Sequence, residues 1–191
     1  MKRGFTIVEA FFASWILLIA IATPLAIISR NITQAGYARD ESIATFLTQE
    51  AYEITRHVRD NSLIVNSTDP VWNPVGIDQC ISVNGASSLI RCVVNARTST
   101  LTKCQAGQCD ISTGADLITF NTSTGLYENT IPAVSGSDIT TTPFLRTITI
   151  ERAAAPADNR ELWVTVTTTW KETAIDSSTR SIVLRGILLR D

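Results

Sequence analysis

The sequence predicts an α+β fold: one long N-terminal α-helix packed on a C-terminal antiparallel β-sheet head. Three observations carry that expectation. The stretch from Phe5 to Ile28 holds a single formal charge, Glu9. From Ile43 to Val58 apolar residues recur at helical spacing, and in the last third of the chain three runs alternate apolar with polar.

The first stretch covers 24 residues. As a helix rising 1.5 Å per residue it is roughly 36 Å long, enough to cross a hydrocarbon core of about 30 Å with some tilt. It exceeds the h-region of an ordinary secretory signal, and it lacks both a small-x-small cleavage site and a cysteine to take a lipid. Lys2 and Arg3 place the N-terminus on the cytoplasmic side by the positive-inside tendency, although Arg30 weakens the asymmetry. The body after residue 30 is then expected outside.

Further on, Ile43, Phe46, Leu47, Ala51, Ile54 and Val58 form one apolar stripe, with Asp40, Glu41, Gln49, Glu53, Arg56 and Arg59 between them. Arg56 and Asp60 are spaced to pair at i,i+4. Pro24 and Gly36 are the only interruptions before Asn61, the first strong stop, and a proline inside a membrane helix kinks it more often than it ends it. One helix from about Phe5 to Asp60 is expected.

A helix with an apolar stripe needs a surface to cover it, and the strands supply one. In Leu162 to Trp170 the residues Leu162, Val164, Val166, Thr168 and Trp170 share a face, with mainly Thr on the other. Arg146 to Ile150 alternates through Ile148 and Ile150, and Ser181 to Leu189 is a third run. Loops rich in turn residues join the three, which predicts an antiparallel meander. Shorter candidates lie between Cys80 and Tyr127, among them Leu117 to Phe120 ahead of a Ser-Thr-Gly turn. Glu128 to Pro143 reads as an exposed loop.

Four cysteines suit an oxidising compartment. Cys80 and Cys92 flank two short apolar runs around Asn84-Gly85, so the two face each other if the segment is a hairpin. Cys104 and Cys109 flank a tight loop in which Gly107 is free to take a positive φ. Those spacings favour the bridges 80–92 and 104–109, one of the three connectivities that four cysteines allow. A zinc site is the rival reading, but the spacing lacks a C-x2-C knuckle and no histidine is near.

Composition excludes other classes. With 45% hydrophobic and 18% charged residues the chain belongs with globular or membrane-anchored proteins, not disordered ones. Setting aside Lys2, Arg3 and Glu9 leaves 14 basic against 17 acidic residues, so neither a phosphate-binding nor a nucleic-acid-binding surface is indicated. His57, the single histidine, reads as a helix-face residue, since no nucleophile elbow, phosphate loop or zinc-protease motif accompanies it. Asp110, Asp116, Glu128 and Asp138 lack calcium-ligand spacing. Trp72, Trp163 and Trp170 read as core or subunit contacts. No enzymatic activity and no cofactor are expected.

A carboxylate in an apolar run either snorkels to the interface or has a partner. Its surroundings bear on the choice: Lys2-Arg3-Gly4-Phe5-Thr6-Ile7-Val8-Glu9 resembles the class III leader of bacterial type IV pilins and type II secretion pseudopilins. That resemblance implies a pilin-like fold and cleavage by a prepilin peptidase between Gly4 and Phe5. It further implies methylation of the new Phe5 amine, and an ion pair between Glu9 and the Phe5 amine of a neighbouring subunit. An amine and a carboxylate in apolar surroundings are each costly alone and far less so together, so such a pair would favour one axial register. Glu53, Arg56 and Arg59 are similar to an acid, then Arg-x-x-Arg, pattern of minor pilins and minor pseudopilins, and the carboxyl-terminal strands resemble the same subgroup. Pro24 lies two positions before the proline usual in major pilins, which leaves the place of any kink open.

The resemblance divides the chain into a leader (1–4), a transmembrane and assembly half-helix (5–28), an amphipathic half-helix (29–61) and a β-rich head (62–191). It implies as partners the prepilin peptidase, other pilin or pseudopilin subunits, the inner-membrane assembly platform and, before assembly, inner-membrane lipid. The location implied is the inner membrane and then a periplasmic or surface filament. The alternatives are a major pilin, or an anchored extracytoplasmic binding domain that never polymerises.

Overall fold

The computed structural model describes residues 6–65, 76–82, 89–112, 116–129, 136–152, 161–171 and 178–189. The chain divides into two compact units, Met1–Ser42 and Ile43–Asp191. One helix, α1 (Ile7–Val65), supplies the described structure of the first and opens the second.

In the first unit α1 is long and apolar enough to cross a membrane, and among the described residues none of its apolar window is buried. Three of its hydroxyls are satisfied locally, as an apolar surrounding demands. Ser14 donates to the Ala10 carbonyl at 2.8 Å, Thr23 to Ile19 at 2.9 Å and Thr33 to Ser29 at 3.2 Å. Pro24 lies inside α1, and helix is maintained on both sides of it although the ring removes one backbone donor.

In the second unit, residues 43–65 of α1 lie on a six-stranded sheet. Its strands are β1 (Ile81–Ser82), β2 (Arg91–Asn95), β3 (Thr100–Lys103), β7 (Phe144–Arg152), β8 (Glu161–Lys171) and β9 (Thr179–Leu189), in the order β3-β2-β7-β8-β9 with β1 also on β7. The three C-terminal strands form the expected antiparallel meander: Ile148 faces Val166, which faces Leu184. Leu162, Val164, Val166, Thr168 and Trp170 are all buried. A second sheet, in the order β5-β4-β6, comprises β4 (Thr119–Asn121), β5 (Leu126–Glu128) and β6 (Ile139–Thr141).

The larger core packs Ala51, with Tyr52, Ile54 and Val58 beside it, on Ile148, Ile150, Leu162, Val164, Val166 and Leu188. The smaller gathers Ala44, Leu47, Ile118, Phe144 and Trp170, and the rings of Phe144 and Trp170 lie 6.1 Å apart. The two sheets are stitched by backbone bonds from the Ile118 amide to the Phe144 carbonyl (2.8 Å) and from the Thr142 amide to the Ile118 carbonyl (2.9 Å).

Five local expectations differ from the structure. The buried line on α1 runs through Ala44, Leu47, Thr48, Ala51, Thr55 and Ser62, whereas Phe46, placed in the stripe by its spacing, is 70% exposed. Small residues take the contact because helix and sheet approach closely. Thr48 and Thr55 turn their hydroxyls back to the Ala44 and Ala51 carbonyls at 2.6 and 2.8 Å, and Thr48 Oγ1 also lies 2.7 Å from Thr168 Oγ1. The same closeness requires Gly186 on β9, where an added Cβ would stand 2.6 Å from Tyr52 Cζ. Second, α1 continues past Asn61 to Val65, because Leu63 packs on the larger core and the Ser62 hydroxyl donates to the Arg59 carbonyl. Third, Asp60 pairs with Arg59 at 2.7 Å in place of Arg56.

Fourth, Cys80 and Cys92 do not sit on the paired arms of a hairpin. β1 runs parallel to β7 with Ile81 opposite Ile150, while β2 runs antiparallel with Arg91 opposite Thr149, so both lie along one edge of β7. The Asn84-Gly85 turn is outside the described residues. Fifth, the segment expected as an exposed loop contributes β6, which pairs with β4 through Thr140 and Phe120, and the buried side chain of Asn129.

Candidate functional site

The residues that carry the resemblance to a class III leader fall on both sides of the described boundary. Gly4 and Phe5 lie outside the described residues. Glu9 stands in the first turn of α1, exposed. Its amide donates to the Thr6 carbonyl at 3.0 Å and lies 3.4 Å from Thr6 Oγ1. Thr6-Ile7-Val8-Glu9 thus has the S/T-x-x-E spacing of a capping box, with Thr6 as the N-cap and Glu9 at the third helical position. A carboxylate there also meets the positive end of the helix dipole. This local role was readable in the spacing, but the charge drew attention and the preceding threonine did not.

Around Glu9 the exposed face of α1 is a continuous apolar surface, with Phe11, Phe12, Trp15 and Ile16 all outside any core. Such a surface is far larger than the few hundred Å² that soluble monomers usually expose. Chemically it fits lipid or other apolar helices, and it offers one carboxylate for a cationic partner.

In the second unit the strongest polar feature is one that the sequence reading passed over. Arg146 shares the inward face of β7 with Ile148 and Ile150 and is fully buried. Its Nη1 donates to Glu50 Oε2 at 2.6 Å and to the Leu47 carbonyl at 2.9 Å, and its Nη2 donates to the Val94 carbonyl at 3.1 Å. One guanidinium therefore ties α1, β7 and β2 together, as its planar fork of donors allows. Burial pushes its pKa below the ordinary value, and the Glu50 carboxylate opposes that shift. The signal was present in the sequence: an arginine at an inward strand position needs an acid, and Glu50 lies beside Leu47 and Ala51. Next to the pair, Ile43, Phe46, Leu47, Glu50 and Tyr127 line an open hollow of about 350 Å³.

The four cysteines form two disulfides, Cys80–Cys92 with Cα atoms 5.9 Å apart and Cys104–Cys109 with Cα atoms 6.0 Å apart, so none is available as a metal ligand. The first staples the turn just before β1 to β2. The second closes the loop after β3, where Gly107 has φ +81° and Cys109 itself φ +54°. Asp116 braces that loop by accepting from the Cys109 amide at 3.0 Å, and Asn129 Nδ2 donates to the Asp116 carbonyl at 3.1 Å. Asp110 accepts from both the amide and the hydroxyl of Ser112, each at 2.8 Å. These bonds, led by the amide, hold its carboxyl below the usual carboxylate range.

His57 is exposed on α1, and among the described residues no three His, Cys, Asp or Glu side chains are grouped to hold a metal. Trp170 is core and Trp163 is half exposed on the opposite face of β8, while Trp72 lies outside the described residues. In comparisons with known proteins the chain matches no family model, no curated protein and no solved structure.

Proposed function

We propose that this chain is a minor pilin or minor pseudopilin: a non-enzymatic subunit of a type IV filament, cut by a prepilin peptidase between Gly4 and Phe5 and assembled through its N-terminal helix. One observation carries the reading. Among the described residues the apolar window of helix α1 is uncovered, and the apolar stretch from Phe5 to Ile28 carries a single carboxylate, Glu9, in the first turn of the helix. A membrane anchor needs only the apolar surface; the acid behind Lys2-Arg3-Gly4-Phe5 is what an assembly helix adds. Lipid before assembly and neighbouring helices afterwards are both apolar environments, so one segment serves both states without a change of fold. The Phe5 amine of a neighbour would meet Glu9 in the filament, and the head would be carried on the extracytoplasmic side.

The test is intact-mass and N-terminal analysis of the full chain expressed with a prepilin peptidase and recovered from sheared filaments. N-methylphenylalanine at Phe5 in the filament fraction is expected. Uncut protein confined to membranes would instead identify a tethered domain that never polymerises. A Glu9→Ala chain should insert and be cut normally yet be depleted from filaments; normal incorporation would remove the register role of Glu9.

A further inference from the structure

Among the described residues the order β3-β2-β7-β8-β9 leaves β9 with a sheet neighbour on one side only. All of its 11 residues pair with β8 in an unbroken register, from Thr179 opposite Lys171 to Leu189 opposite Glu161. The strand therefore has no bulge, and it contains no proline. Sheet edges are usually blunted by short strands, bulges, prolines, charged side chains or a covering element, and of these β9 carries charges, Arg180 and Arg185. At about 3.4 Å per residue this edge is long enough for an added strand of ordinary length, roughly five to six residues.

Its outward side chains are selective. Val183 and Ile187 are about half exposed and flank Arg185, and Trp163 of β8, opposite Ile187, extends the apolar surface inward. Arg185 is exposed, faces the uncharged Thr165 across β8, and makes no salt bridge among the described residues. A second copy of β9 would fit poorly. The antiparallel register that sets Val183 against Ile187 also sets Arg185 against Arg185, and like charges directly opposite are destabilising.

We propose that the free edge of β9 receives an extended segment of a partner protein as an additional antiparallel strand, with an acidic residue opposite Arg185 and apolar residues two positions to either side. Backbone bonds to the edge supply affinity, and the apolar–acid–apolar alternation supplies register and choice of partner. The proposal does not depend on filament assembly.

The test uses the full chain in detergent micelles with the capped peptide Thr-Val-Thr-Glu-Thr-Val-Thr as probe, and the same peptide with Lys at its centre. Binding is followed by calorimetry, and amide hydrogen exchange locates it. The Glu peptide is expected to bind about five-fold more tightly than the Lys peptide, to slow exchange of the β9 amides that do not bond β8, and to lose binding when its backbone is N-methylated at alternate residues. Arg185→Glu, a change at an exposed position, should invert the preference. Absence of binding, equal affinity for both peptides, protection centred on the Phe46 hollow, or β9 protection that rises with protein concentration in the absence of peptide would each overturn it.

Discussion

Arg146, near the start of β7, and Glu50 of helix α1 form an ion pair of 2.6 Å, with the guanidinium fully buried and the carboxylate side chain 42% exposed. The asymmetry matters more than the distance. Glu50 keeps part of its hydration if the pair is broken, whereas Arg146 is left as a charge inside the core with two carbonyls for company. The two halves of the pair should therefore be unequal under mutation.

Arg146→Ala is expected to cost about 3–5 kcal/mol, since it empties a fully buried site and leaves the Val94 carbonyl without its side-chain donor, while the Leu47 carbonyl keeps its helical partner. Arg146→Met, which keeps the volume, should cost less. Glu50→Gln leaves the buried guanidinium without its counter-charge and should cost more than Arg146→Met, about 2–4 kcal/mol once solvent screening of the half-exposed carboxylate is allowed for. Denaturant unfolding of the full chain in micelles measures all three, and a smaller loss for Glu50→Gln than for Arg146→Met would contradict this account.

Gly186 lies beneath the Tyr52 ring, so Gly186→Ala must displace it. A loss of about 1–3 kcal/mol is expected from overpacking. Tyr52→Leu in the same chain should recover part of that loss, and thermal unfolding of the two single variants and the double variant closes the cycle.

The two disulfides differ in the length of chain they close. Cys80–Cys92 spans a separation of 12 and Cys104–Cys109 a separation of 5. On the chain-entropy model their removal as Cys→Ala pairs should cost about 3 and about 2 kcal/mol. Unfolding midpoints of the two variants test the order, and loss of folding confined to the 104–109 variant would reverse it.

Asp110 should titrate below the ordinary aspartate value of about 3.9, since its folded form is held by the Ser112 amide and hydroxyl. With the folded pKa depressed, the stabilisation is fully present above the unfolded value and is lost as pH falls through the folded one. Carboxyl NMR titration should place its midpoint low. Ser112→Ala, which removes the hydroxyl and keeps the amide, should raise that midpoint part of the way.

Thr6 caps α1, so Thr6→Ala should weaken the first turn by roughly 1 kcal/mol and speed exchange of the Glu9 amide. If Thr6→Ala leaves that exchange rate unchanged, Glu9 is held by something other than the cap. Because Glu9 itself is intact in this variant, its effect on filament incorporation separates helix capping from the ion pair proposed for Glu9.

By itself the sequence determined the kinds of element and their order: an apolar segment of membrane length, a striped helical segment and a C-terminal meander. Those are local periodicities, 3.6 for a helix and 2 for a strand, and they need no knowledge of what lies opposite. Three-dimensional packing decided what spacing leaves open. Ala44, Thr48, Ala51 and Thr55 displaced Phe46 from the contact because the helix lies close enough to the sheet for Tyr52 to press on Gly186. Leu63 carried the helix past Asn61 because a core was there to receive it. β1 joined β7 in parallel, and Arg146 met Glu50, 96 residues away in sequence. Each of these depends on a neighbour distant in the chain, whose distance and orientation are set only when the sheet and helix close on one another.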